Sequence, residues 1–190
     1  MVNRTLVIVA HPHIEQSKVN AALASSLSGL DCVTVYPLYA ANSSFKFDVA
    51  KEQALLLEHD TIVFQFPLYW YSVPGILKEW MDQVLLRGFA YGGVNKLRGK
   101  KFIVAVSTGS KAGHYTEEGL DHITLDNLLA PLRTTALRVK MSYEKPFYTY
   151  DVRGLTEKDL EDVCLNYRKF INHHSNCGNL TNGDVPVDHF

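Results

Sequence analysis

Cysteine, net charge and long apolar runs are all scarce in this chain of 190 residues, and each scarcity excludes something. Cys32, Cys164 and Cys177 are odd in number and lack CxxC spacing, which argues against a disulfide framework and a zinc site and fits a reducing compartment. Nineteen Lys and Arg against twenty Asp and Glu leave a formal charge of −1, so there is no basic footprint for nucleic acid and no polybasic membrane patch. No apolar run approaches membrane-spanning length, and Met1-Val2-Asn3-Arg4 leads straight into a strand pattern without a signal peptide's apolar region. A soluble, cytoplasmic protein is expected. Also missing are GxGxxG after the first apolar run, GxxxxGK[ST] and GxSxG, which removes the dinucleotide fingerprint, the P-loop and the hydrolase elbow. The histidines at His11, His13, His173 and His174 have no third partner at ligand spacing, so no metal site is expected.

What is present is organised around Thr61–Gly92. Thr61 to Phe66 is β-branched and aromatic with almost no polar interruption, as a strand covered on both faces reads. Pro67 ends it by removing a backbone donor. Val73, Ile76, Leu77, Trp80, Met81, Val84 and Leu85 then recur at helical spacing, with Pro74 placed in the first turn. Between strand and helix lie Leu68, Tyr69, Trp70, Tyr71 and Ser72. Large aromatics at the carboxyl end of a buried parallel strand sit where open α/β sheets bind ligands, and they suit a planar, partly polar ring.

The rest of the chain repeats this alternation. Thr5–Ala10 is an apolar strand followed by a loop and a helix capped by Ser17. Asp31–Leu38 reads as a weaker strand near the sheet edge, and Asp48 caps a helix to about His59. Lys101–Val106 is a fourth strand opening into a small glycine-containing loop, Ser107 to Tyr115. A helix from Leu120 to about Leu132 and a fifth strand at Ala136–Met141 follow. Thr156 and Asp159 resemble a capping box for the last helix. Five strands alternating with five helices predict an α/β fold with a parallel sheet in the order 2-1-3-4-5 and helices on both faces. One domain over 1–174 and a tail over 175–190 complete the reading.

Three strand ends converge on one crevice in that topology. AHPHIEQSKVN at 10–20, FPLYWYSVPGILKEWMDQVLLRGFAYG at 66–92 and STGS at 107–110 together resemble the flavodoxin-like NAD(P)H:quinone oxidoreductases. The resemblance covers nearly the whole chain. The compact length and the HP-x(4)-S-x-x-N form look most like the bacterial ancillary oxidoreductases of glutathione-gated potassium efflux systems.

That resemblance implies a flavin, FMN first and FAD as the alternative, with NAD(P)H as co-substrate. The flavin phosphate would lie at Ser17, Lys18, Val19 and Asn20, where a helix start offers N–H groups, a hydroxyl and an amide. His11 would stand beside the phosphate or ribityl chain. Pro67, Leu68, Tyr69 and Trp70 would hold one ring edge, with the backbone N–H groups of this loop near N5 and O4. Ser107, Thr108, Gly109 and Ser110 would hold the pyrimidine edge, with Ser110 replacing the second glycine usual in the family. Tyr115 matches a tyrosine that helps neutralise the charge of the reduced ring in animal quinone reductases. His114 is the second catalytic candidate, and Asp121, with His122 beside it, falls where those enzymes carry a histidine. Trp70 and Tyr71 would form a substrate slot completed by Tyr91 from a neighbouring subunit. The implied function is ping-pong hydride transfer from NAD(P)H to a quinone or other small acceptor by a homodimer. The alternative role is that of a regulatory subunit docked on a membrane potassium efflux transporter.

Overall fold

The computed structural model describes residues 3–42 and 44–175. Its first strand, β1 (Thr5–Val9), leads through a 3-10 turn at Ile14–Gln16 to α1 (Lys18–Ser25). Then come β2 (Val33–Pro37), a short α2 (Leu38–Ala41), α3 (Val49–Leu57), β3 (Thr61–Pro67) and α4 (Gly75–Val84). The second half holds β4 (Lys101–Ser107), a 3-10 turn at Ala112–His114, α5 (Leu125–Leu128) and α6 (Ala130–Arg138). It ends with β5 (Ser142–Tyr143), β6 (Phe147–Thr149) and α7 (Glu157–Ser175). The sheet order is β2-β1-β3-β4-β5, with β6 also pairing β4, and all pairings are parallel. This is the predicted 2-1-3-4-5 order, with β2 at the edge.

Side chains of successive strand residues point to opposite faces, and the two apolar clusters sort accordingly. Leu6, Ile8, Ile62, Phe64, Phe102 and Val104 pack with Ile76, Leu77 and Trp80 of α4 and with Leu132 and Ala136 of α6. Val7, Val9, Val63, Ile103 and Ala105 pack on the other face with Val19 and Leu23 of α1 and with Tyr167 and Ile171 of α7. Each buried aliphatic side chain contributes about 1.5–3 kcal/mol of transfer free energy, so both faces are sealed by their helices. Ser17, Asp48 and Thr156 act as the predicted caps, accepting from the N–H groups of Asn20, Lys51 and Asp159.

The fifth strand lies elsewhere than predicted. Ala136–Met141 does not pair with the sheet, since α6 runs through Arg138 and buries Leu132 and Ala136 at i, i+4 spacing. Pro131 opens this helix rather than stopping one, because its missing N–H is free of cost in a first turn. The fifth sheet position is filled by two fragments, β5 and β6. The helix predicted over Leu120–Leu132 is likewise divided, with its first part a loop. Pro74 is the N-cap of α4 and lies one step outside its first turn.

Ser175 closes α7, fully buried and within 2.6 Å of the Thr5 hydroxyl, and the tail expected beyond it lies outside the described residues. Cys164 is a free, half-buried thiol, pushed up to about 11 by burial. Among the described residues no helix is long and apolar enough to cross a membrane.

Candidate functional site

The first loop leaves β1 at Ala10, whose N–H donates to the Gln65 carbonyl of β3 at 2.9 Å. Ser17 has extended backbone, and its Oγ accepts the Asn20 N–H at 3.1 Å. That bond leaves the Ser17 hydroxyl proton available. It also leaves Lys18 and Val19, the first two helical positions, with N–H groups that have no intrahelical acceptor. Helix geometry therefore presents a compact set of donors at the positive end of the dipole. His11 Nδ1 accepts the His13 N–H at 3.1 Å, which fixes Nε2 as the ring's remaining donor. Burial, and then the neighbouring His13, hold the His11 pKa below its ordinary value.

The second loop is a tight turn. Tyr69 and Ser72 exchange two backbone hydrogen bonds, both 3.0 Å, and between them Trp70 and Tyr71 have φ of 46° and 61°. Positive φ at both central positions is the geometry that Asn-Gly adopts in hairpins, and a left-handed side-chain-bearing residue costs about 1–2 kcal/mol. Two bulky aromatics here are strained, and strain of this kind gathers at functional sites. Trp70 is 93% exposed. The turn also corrects the expected donors. The Leu68 N–H binds the Ser107 carbonyl at 2.8 Å and the Tyr69 N–H binds Ser72, so neither faces a ligand. The N–H groups of Trp70 and Tyr71 have no acceptor among the described residues.

The third loop is held from the end of β6 and the residues just after it. Thr108 N–H donates to the Thr149 carbonyl at 2.8 Å, its Oγ1 donates to the Ser110 carbonyl at 2.8 Å, and Ser110 accepts again from Asp151 N–H at 3.0 Å. Gly109 and Ser110 keep free N–H groups among the described residues. Ser110 is not among the residues of positive φ, so serine is accommodated where a second glycine was the family norm. A Cβ built at Gly109 meets nothing within 4 Å, which places open space beside the loop.

The three loops are joined underneath. Asn20 Nδ2 donates to Ser107 Oγ at 2.9 Å, and Gln65 Nε2 donates to the Asn20 carbonyl at 2.8 Å. Asn20 Oδ1 is buried and has no partner. A buried acceptor left unmade costs about 1–3 kcal/mol, so the site asks for a donor there. A group with an anion, several hydroxyls and a hydrogen-bonding planar ring, such as a flavin mononucleotide, fits this arrangement of donors and one orphan acceptor.

Tyr115 lies at the end of the Ala112–His114 turn, 9% exposed, its ring 6.0 Å from that of Tyr150. His114 is brought beside it, and its carbonyl accepts the Asp121 N–H at 3.1 Å. Gly119 is required here, since a Cβ would sit 2.3 Å from the Gly113 carbonyl oxygen. Asp121 Oδ1 accepts from the Tyr71 hydroxyl at 3.1 Å, tying this loop to the aromatic turn and raising the Tyr71 pKa. His122 instead bonds the Glu117 carbonyl. Tyr91 stands apart from these loops, with the Arg138 guanidinium 5.7 Å from its ring centroid. Reading the sequence missed Gln65, Thr149 and Tyr167. Gln65 had a signal, as the one amide inside an apolar strand.

An uncharacterized NAD(P)H oxidoreductase, YrkL of Bacillus subtilis, is 42% identical over 84% of this chain and 92% of its own. The glutathione-regulated potassium-efflux system ancillary protein KefG of Cronobacter sakazakii is 39% identical over 88% and 92%. Among solved structures, general stress protein 14 of Treponema denticola in complex with FMN superposes with a TM-score of 0.83 at 35% identity, covering 92% of this chain and 99% of that one. A NADPH-quinone reductase from P. pentosaceus gives 0.82 at 31%, covering 94% and 99%. A chain described as a thermophilic tryptophan halogenase from Streptomycin violaceusniger gives 0.84 at 42%, covering 87% and 97%. The names diverge although the fold does not, so activity has to be argued from the site. Residues 3–171 match the family described as having a flavodoxin-like fold, and the chain belongs to it.

Proposed function

We propose that the crevice binds FMN and that the protein is a cytoplasmic, homodimeric NAD(P)H:quinone oxidoreductase working by ping-pong hydride transfer. The observation that carries this reading is the convergence of three donor-bearing loops on Asn20 and Ser107, with the orphaned Asn20 Oδ1 among them. The FMN-bound relative and the NADPH-quinone reductase of the same fold support it.

When bound, FMN supplies a two-electron carrier between nicotinamide and acceptor. The chain's own residues do the rest. The Ser17 hydroxyl and the Lys18 and Val19 N–H groups would hold the phosphate, and His11, whose Nδ1 is occupied by the His13 N–H, would donate through Nε2. The free N–H groups of Gly109 and Ser110 would hold the ring's polar edge, where fixed donors favour negative charge without reorganisation. Trp70 and Tyr71 offer flat surface to nicotinamide and quinone in turn. Tyr115 with His114 beside it supplies the proton-bearing groups, and Tyr91 belongs to the partner subunit's slot.

Initial rates over a grid of NADPH and a benzoquinone test the reading. Parallel double-reciprocal lines are expected, and intersecting lines would rule out alternate occupancy of one slot. KefG relatives favour a second role, an ancillary subunit on a potassium efflux transporter. Retention of the chain on vesicles bearing such a transporter, and not on bare vesicles, would establish it.

A further inference from the structure

A buried relay runs from the last helix to the candidate site. The Tyr167 hydroxyl of α7 donates to Gln65 Oε1 at 3.1 Å, Gln65 Nε2 donates to the Asn20 carbonyl at 2.8 Å, and Asn20 Nδ2 donates to Ser107 Oγ at 2.9 Å. Tyr167 and Gln65 are both 0% exposed, and Asn20 and Ser107 are 3% exposed. The direction of the relay is set by chemistry. A backbone carbonyl can only accept, so Gln65 must turn its NH₂ to Asn20 and its oxygen to α7, which obliges Tyr167 to donate. Gln65 lies in the middle of an apolar strand, where an amide is tolerated only if all its bonds are made. Its own carbonyl meanwhile receives the Ala10 N–H, so this one residue grips both the start of the first loop and the first turn of α1.

We infer that Gln65 and Tyr167 are positioning residues, which hold the first turn of α1 against the end of β3 and thereby set the donors that receive the cofactor's phosphate. The inference rests on the FMN reading of the site. Neither side chain reaches the crevice, and both act through Asn20. Held this way, Asn20 keeps one amide atom bonded to Ser107 and leaves the other buried and unpartnered, in the same first turn that carries the N–H groups of Lys18 and Val19. Loosening the relay lets that turn drift, so it should weaken binding of the phosphate more than binding of the ring.

The test compares FMN with riboflavin, which lacks the phosphate, by quenching of flavin fluorescence in the full chain and in Tyr167→Phe, Gln65→Met and the double variant. Tyr167→Phe removes one oxygen and keeps the ring in its pocket against Phe147. One lost buried hydrogen bond corresponds to about a three- to tenfold change. FMN affinity should fall by that factor in Tyr167→Phe while riboflavin affinity changes less than twofold, and Tyr167→Phe should add nothing once Gln65 is Met. An unchanged FMN-to-riboflavin ratio with lowered melting temperature would overturn the relay as a positioning device. Amide exchange of Val19, Asn20 and Ala21, measured by NMR without flavin, keeps the two readings separable. If the parent chain binds neither flavin, the FMN reading falls. The relay then stands on faster exchange at those amides in Tyr167→Phe, and is overturned if their exchange is unaltered.

Discussion

The helix start at Ser17 and the aromatic turn at Tyr69–Ser72 lie at the ends of adjacent strands, yet they are built on opposite principles. At Ser17 the backbone is extended, the cap bond is made, and Val19 and Asn20 are buried. At the turn two residues carry positive φ, and the larger of them stands 93% exposed. The first is a rigid anchor whose stability and binding arise from the same bonds. The second holds conformational strain against two backbone hydrogen bonds between Tyr69 and Ser72 and one from the Tyr71 hydroxyl to Asp121. A surface kept at that cost is kept for what it touches, which in the proposed reading is the stacking face for nicotinamide and quinone.

The largest test breaks that contrast directly. Replacing Trp70-Tyr71 by Asn-Gly puts residues suited to positive φ into the same turn. Thermal unfolding should show a gain of about 1–2 kcal/mol, while quinone turnover should fall by about tenfold or more, since a stacking surface is lost. Stability and activity therefore move in opposite directions. A loss of stability would show that the aromatics are held by packing and not imposed against it.

At the anchor the two should move together. Ser17→Ala removes a cap and should cost about 1 kcal/mol in denaturant unfolding. FMN affinity should drop in the same variant, because the hydroxyl that caps the helix is also the one left to donate. Unaltered FMN affinity would separate the cap from the binding site.

The smallest effect sharpens the anchor's electrostatics. The folded His11 pKa lies below the ordinary 6.5, so between the two values the unfolded chain binds the extra proton and the folded one does not. This contribution to stability is present above 6.5 and is lost as pH falls through the folded value. His59 and His174 are lowered too, also chiefly by burial, so the comparison must be with His11→Asn. Melting temperature should decline less steeply below pH 6.5 in that variant than in the parent.

Much of this was readable from residues. The largely apolar runs at Thr5–Val9, Thr61–Phe66 and Phe102–Val106 read as central strands, and the caps at Ser17, Asp48 and Thr156 fixed where helices begin. The fifth sheet position was not readable. Ser142–Tyr143 and Phe147–Thr149 are too short to carry an alternation, and Ala136–Met141 imitates a strand while serving a helix end. The turn was visible as three aromatics, but its positive φ was hidden, because local preference would assign that geometry to Asn or Gly. Gln65 passed as a minor interruption of a strand, since its partners come from residues 45 and 102 positions away.

The central claim is that three strand ends form one FMN site that NADPH can reduce. The direct measurement is the visible spectrum of the protein loaded with FMN, recorded anaerobically before and after one equivalent of NADPH and again after a quinone. Bound-flavin bands should bleach with NADPH and return with the quinone. A spectrum identical to that of free FMN at every stage would contradict it.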